Sequence, residues 1–118
     1  PAAGFAVLKI DATTLPAVKF GDSNEARRGD WCMVVGCKLG QKPVVTSGIV
    51  SGLNRSVRIN GIPFKQLIEF NCKSQDYFRG GPLINDQGEV TGIIIEKGYA
   101  EPGNRVTVIL ESLGVPTF

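Results

Sequence analysis

The run DYFRGGPLIN (76–85) holds the residues best placed to do chemistry. A Gly-Gly-Pro turn ahead of a short apolar run is suited to presenting one side chain at the mouth of a β-barrel. The side chain presented is Arg79. Its guanidinium stays protonated near neutral pH, so it cannot attack as a nucleophile. It can still recognise an acidic or carboxylate-bearing ligand by paired hydrogen bonds. Tyr77 and Phe78 stand beside it and complete a candidate ligand site with Arg79. The plainer role for Arg79 is a solvent-facing side chain, or a salt bridge to Asp76 or Glu101.

Thiols are the other reactive groups. Cys32, Cys37 and Cys72 are odd in number and too few for a disulfide scaffold. Cys32 and Cys37 lie five apart on an expected strand, so they point to opposite faces, which disfavours a shared metal ion. The chain has no histidine, so a zinc site would need all three thiolates plus a carboxylate. Their spacing suggests no such set, and neither metal nor cofactor is expected. The cysteines read as buried small hydrophobes, with one surface disulfide, for instance Cys37 to Cys72, left open. Without a neighbouring base, neither Cys72 nor Ser74 is expected to act as a nucleophile.

Composition bounds the protein that must position these groups. The 118 residues are one domain's worth, 42% hydrophobic and 20% charged, which leaves enough apolar surface for a core. The net charge is only +2, with local clusters at Arg27-Arg28 and at Arg55, Arg58 and Lys65. These read as solvated loop charges, and no nucleic-acid partner is expected without a denser basic stripe interleaved with aromatics. No apolar run approaches the ~20 residues needed to span a bilayer, so no membrane partner is expected either. No signal-peptide pattern is present. The chain opens at Pro1 and runs at once into GFAVLKI, as a processed chain or a fragment would.

Fifteen glycines and seven prolines divide the sequence into short β-branched segments, the mark of an all-β fold. Strands are expected at 5–10, 16–20, 31–37, 42–53, 65–70, 82–86 and 89–97, with a short one at 98–102. The segment 21–30 reads as a polar loop with Asx-type turns. The strand 42–53 is long enough to bend at Gly48. The segment 54–64 reads as an exposed hairpin or loop turning at Asn60-Gly61, and 86–88 is a second turn. In the last segment Val106, Ile109, Leu110 and Leu113 form a helical stripe, although Val-Thr-Val-Ile favours β. Asn104 as N-cap and Gly114 as C′ residue tip the expectation to a terminal helix.

In order and spacing these segments resemble the second half of a trypsin-like serine protease of the Do-like (high-temperature-requirement) family. FAVLKID resembles the strand after that family's catalytic aspartate. LPAVKFGDSNEARRGDWCMVVG, VVTSGIVSGLNR, LIEFNC, GGPLINDQGEVTGI and GYAEPGNRV resemble its later segments in one register, from about Gly4 to Leu113. The resemblance implies a six-stranded antiparallel barrel, the second of two, with a closing helix. In that frame 1–11 is the end of a first barrel, and 12–118 is the second barrel.

Such proteases need a serine that attacks, a histidine that takes its proton and an aspartate that orients the imidazole. The resemblance puts Arg79 at the serine position and Gly4 at the aspartate position, with the histidine upstream of Pro1. Tyr77 takes the place of a glycine whose N–H helps hold the oxyanion, and Phe78 follows it. A glycine conformation at that point would strain a tyrosine by ~1–2 kcal/mol. The expected function is therefore that of a pseudoprotease, a binding or scaffolding barrel without proteolysis. The alternative is a fragment of a larger Do-like serine endopeptidase whose first barrel lies outside this chain. A protein or peptide partner is expected in both cases: a first barrel, a second copy, or a peptide added to an open sheet edge.

Overall fold

The computed structural model describes residues 6–115. Six antiparallel strands close a barrel in the order β1-β2-β3-β6-β5-β4. They are β1 (Trp31–Gly36), β2 (Val44–Ile59), β3 (Ile62–Phe70), β4 (Pro82–Asn85), β5 (Val90–Glu96) and β6 (Tyr99–Pro102), followed by helix α1 (Gly103–Ser112). The period-two alternation decides which face is inside. On β1, Cys32, Val34 and Gly36 point inward while Trp31 stands out in solvent. Val34, Val50, Ile68, Phe70, Phe78, Leu83, Ile94 and Ala100 share the core with Cys32 and Cys72.

Glycines and asparagines set the corners. Asn60 (φ 51°) and Gly61 (φ 78°) supply the two left-handed residues that a tight β2–β3 hairpin requires. The expected hairpin at 54–64 forms, and its arms are the ends of the two long strands. β2 runs unbroken to Ile59, and β3 begins at Ile62. The bend near Gly48 is a change of partner: β2 pairs with β1 as far as Ile49 and with β3 from Val50 onward. The β4–β5 turn closes with the Gly88 N–H on the Asn85 carbonyl, as its sequence suggests.

Two expected strands do not form. The 5–10 expectation begins at Phe5, outside the described residues, and 6–10 are exposed and outside any sheet. Apolar β-formers become a strand only where a neighbouring strand takes their hydrogen bonds, and none of the described strands flanks them. The segment 16–20 contributes only a parallel bridge from Phe20 to Val90. In the 21–30 loop, Asp22 caps a 3-10 turn (Ser23–Glu25) through the Asn24 N–H, which fits the Asx reading.

The terminal helix forms, but Asn104 is not its N-cap. Pro102 holds that position without a side-chain cap. Asn104 lies in the first turn, where its N–H donates to Ser23 Oγ at 3.0 Å and its Oδ1 accepts from the Ser23 N–H at 3.1 Å. The helix start is thus capped from a loop 81 residues away. At the other end Gly114 (φ 76°) does act as the C′ residue. Its N–H reaches the Glu111 carbonyl, and the Val115 N–H reaches that of Leu110. Val106 is buried, Ile109 and Leu110 are half-buried, and Leu113 at the end of the stripe is exposed.

Candidate functional site

The connection from β3 to β4 carries the residues singled out in the sequence. Asp76–Phe78 coil into a 3-10 turn, with Arg79 as its C-cap. The chain then passes through Gly80 (φ 84°) into β4. Phe78 fixes this turn. Its side chain is 1% exposed and lies against Gly36 of β1, where an added Cβ would fall 2.4 Å from the ring. Phe78 is therefore a core residue and cannot touch a ligand, which corrects its place in the expected ligand site. Tyr77 remains at the surface, 37% exposed, its ring centroid 5.0 Å from that of Phe78. Among described non-glycine residues, positive φ occurs only at Thr14, Asn54, Asn60 and Gln66. Tyr77 does not carry the strain anticipated for it, because the chain coils here instead of adopting a glycine conformation.

That coiling directs the backbone donors inward. The Phe78 N–H goes to the Gln75 carbonyl at 3.0 Å, and the Arg79 N–H to that of Asp76 at 3.3 Å. The Gly80 N–H takes the Ile94 carbonyl at 2.7 Å, and the Gly81 N–H that of Phe78 at 2.9 Å. Each of these four N–H groups already has a carbonyl partner, so none of them is left free for an anion.

Arg79 points across the turn to β5. Its Nη2 lies 2.7 Å and its Nε 3.3 Å from Glu96 Oε1, with Asp76 Oδ1 at 3.8 Å from Nη2. Lys97 continues the network: its N–H donates to Glu96 Oε1, and its Nζ lies 3.5 Å from Asp76 Oδ1. Hydrogen bonding from Arg79 holds the Glu96 carboxyl below the usual glutamate range, and the same bond raises the guanidinium still further. Of the two salt-bridge partners expected, Asp76 is present as the weaker one, and Glu101 is not a partner. Glu101 is buried on β6 beside Arg105, whose Nη1 lies 2.7 Å from its Oε1. Glu96 was missed because its only sequence signal is an acidic residue closing the apolar run Gly-Ile-Ile-Ile. Among the described residues Arg79 Nη1 takes no hydrogen bond, so one edge of the guanidinium faces solvent and can donate to a carboxylate.

Beside Arg79 opens a groove of about 520 Å³. Ala6, Val7 and Leu8 form one wall, and Ile93, Ile95, Val106 and Leu110 the other. Among the described residues Arg79 is the one charged residue lining it. Val7, Leu8, Ile10, Leu15 and Val18 all stand exposed along the segment leading to the barrel.

The thiols are arranged differently from the pairing left open in the sequence. Cys37 is exposed past the end of β1 and donates to the Gln41 carbonyl, so Cys72 is not its neighbour. Cys72 lies in the core with its Sγ 3.5 Å from that of Cys32. Cys32 and Cys72 are buried as expected, but Cys37 is exposed and is not the buried small hydrophobe expected of it, because β1 ends at Gly36 before reaching it. Among the described residues no group of three or more Cys, Asp or Glu could hold a metal ion.

A ring of six antiparallel strands with a closing helix, and a Gly-Gly-Pro turn at the mouth between β3 and β4, is the frame on which a trypsin-like protease mounts its nucleophile. The chain matches the trypsin-like peptidase domain over residues 1–93 and belongs to that family. Its relatives are Do-like. It is 38% identical over 92% of its length to Do-like protease 14 of Arabidopsis thaliana, and 39% identical over 75% to HhoB of Synechocystis. A DegP-like protein of Marinomonas is 42% identical over 79% of the chain. The chain spans only 26%, 22% and 19% of these three proteins. Among solved structures, the HtrA-type protease AlgW with decapeptide superposes with a TM-score of 0.75 at 27% identity, over 88% of this chain and 35% of that one. Deg5 gives 0.66 at 29%, over 77% and 45%.

Proposed function

We propose that this chain is a catalytically inactive trypsin-like serine protease homologue that serves as a binding or scaffolding barrel. One observation carries the reading. Where the family resemblance places an attacking hydroxyl, a guanidinium is held 2.7 Å from Glu96. Its own backbone N–H, which would be an oxyanion donor, is occupied by the Asp76 carbonyl. Losing one oxyanion donor costs on the order of 100- to 1000-fold in rate, and losing the nucleophile removes the acyl-enzyme route altogether. Gly4 stands at the aspartate position. Arg79 and Tyr77 then remain as the accessible groups of a ligand site for a peptide or an acidic segment. Incubation with an unfolded protein substrate is expected to give no fragments above a buffer control; stoichiometric turnover would overturn the reading.

A second reading is supported by the apolar groove beside Arg79 and the five exposed apolar residues between Val7 and Val18. Apolar surface of this kind marks a binding face. In this reading the chain is one part of a larger Do-like protein. Residues 1–11 end a first barrel, 12–118 form the second, and the rest of the first barrel covers the groove. The chain's share of 19–26% of its relatives' lengths fits this reading. Size-exclusion chromatography with light scattering separates the two readings. Self-association or aggregation of the isolated chain supports an uncovered interface, and a well-behaved monomer counts against it.

A further inference from the structure

Cys32 and Cys72 are 40 residues apart, yet their sulfurs lie 3.5 Å from each other in the barrel core. Both are free thiols, 2% and 4% exposed. Local packing brings them together. Cys32 pairs with Gly48 of β2 and with Asn85 of β4. Gly48 has no side chain, and a Cβ there would stand 3.0 Å from the Cys72 backbone nitrogen. The start of the β3–β4 connection therefore lies directly against β1 and β2. Cys32 is also among the residues lining a surface groove of about 620 Å³, with Asp30, Trp31, Val50 and Thr91, so the pair lies just beneath that surface.

We propose that Cys32 and Cys72 form a reversible disulfide that staples the connection carrying Arg79 to β1, with a small peroxide as the oxidant. The first thiol to ionise is stabilised by the S–H of the other, since either sulfur can donate. It attacks one peroxide oxygen, the O–O bond breaks, and a sulfenic acid and one water result. The second thiol attacks the sulfenic sulfur, the S–O bond breaks, and a second water leaves with the remaining proton. Two thiols lose two electrons in all, and one peroxide gains them. Cys37, exposed at the end of β1, has no sulfur partner in reach and is outside the pair.

The test uses the full chain carrying Cys37→Ser, treated with hydrogen peroxide, unfolded in denaturant and alkylated. The expected product is monomeric, has lost two hydrogens by intact mass, and takes up no alkyl group. Dithiothreitol restores two alkylatable thiols, and a proteolytic map of the unsubstituted chain yields a cross-linked peptide joining Cys32 to Cys72. Amide exchange over 73–81 is expected to slow on oxidation. Two thiols that still alkylate fully after peroxide, or that proceed to sulfinic acids without cross-linking, would overturn the proposal. So would a map of the unsubstituted chain linking Cys37 to either partner.

Discussion

The ring of Phe78 packs against Gly36, so close that a Cβ at position 36 would sit 2.4 Å from its Cδ1. This contact joins β1 to the turn that presents Arg79. It makes a core residue of a side chain that the sequence places in the ligand site. The turn is thus held from below by the packing of a buried ring.

Gly36→Ala is therefore expected to destabilise the barrel by about 2–3 kcal/mol, through overpacking against a ring that cannot withdraw. Phe78→Ala should cost about 3–5 kcal/mol from the opposite cause, a cavity in the core. Urea denaturation checks both. Combining them should be clearly non-additive, because the truncated ring leaves room for the alanine methyl. Additive costs would mean that the two residues do not share one contact.

Two glutamates should give the stability profile opposite slopes. Glu96 has a depressed folded pKa through its bond to Arg79. Its contribution is fully present above the unfolded value of about 4.3 and lost as pH falls through the lower folded value. Glu101 has a raised folded pKa, chiefly from burial. Its contribution is present below about 4.3 and lost as pH rises through the folded value. Urea midpoints measured from acid to neutral pH should lose part of their acid-side fall in Glu96→Gln, and part of their decline toward neutrality in Glu101→Gln. The effect is small for Glu96, whose pair is solvent-screened. Profiles parallel to the unsubstituted chain would contradict the assignment.

Asn104 links the helix start to the 21–30 loop by three bonds: two with Ser23, and one from its Nδ2 to Asp22 Oδ1 at 2.7 Å. Asn104→Ala is expected to cost about 1–2 kcal/mol in denaturant unfolding, within the range of a lost cap. Asn104→Asp should be worse at neutral pH, because it sets a carboxylate against Asp22, and should recover as the pH is lowered. No recovery in acid would show that the Asp22 contact is unimportant.

The barrel was legible where local chemistry decides structure. Asn60-Gly61 and Gly88 mark corners because their positive φ values suit few other residues. The apolar run at 31–37 marks a strand, realised as Trp31–Gly36. What could not be read depends on contacts made only after folding. Glu96 reaches Arg79 across a strand pairing, Ser23 caps a helix 81 residues on, and Cys72 finds Cys32 through a glycine on a third strand. The 5–10 expectation failed for the same reason, since β propensity without a pairing strand makes no sheet. Sequence alone placed the turn bearing Arg79 correctly, but not the direction of its backbone donors.

The most direct test of the inactive reading is labelling with a serine-reactive fluorophosphonate, followed by intact mass. No adduct is expected on the folded chain, and none on Arg79→Ser, because the restored hydroxyl would still lack a base. A stoichiometric adduct on the unsubstituted chain, lost on denaturation before labelling, would contradict it.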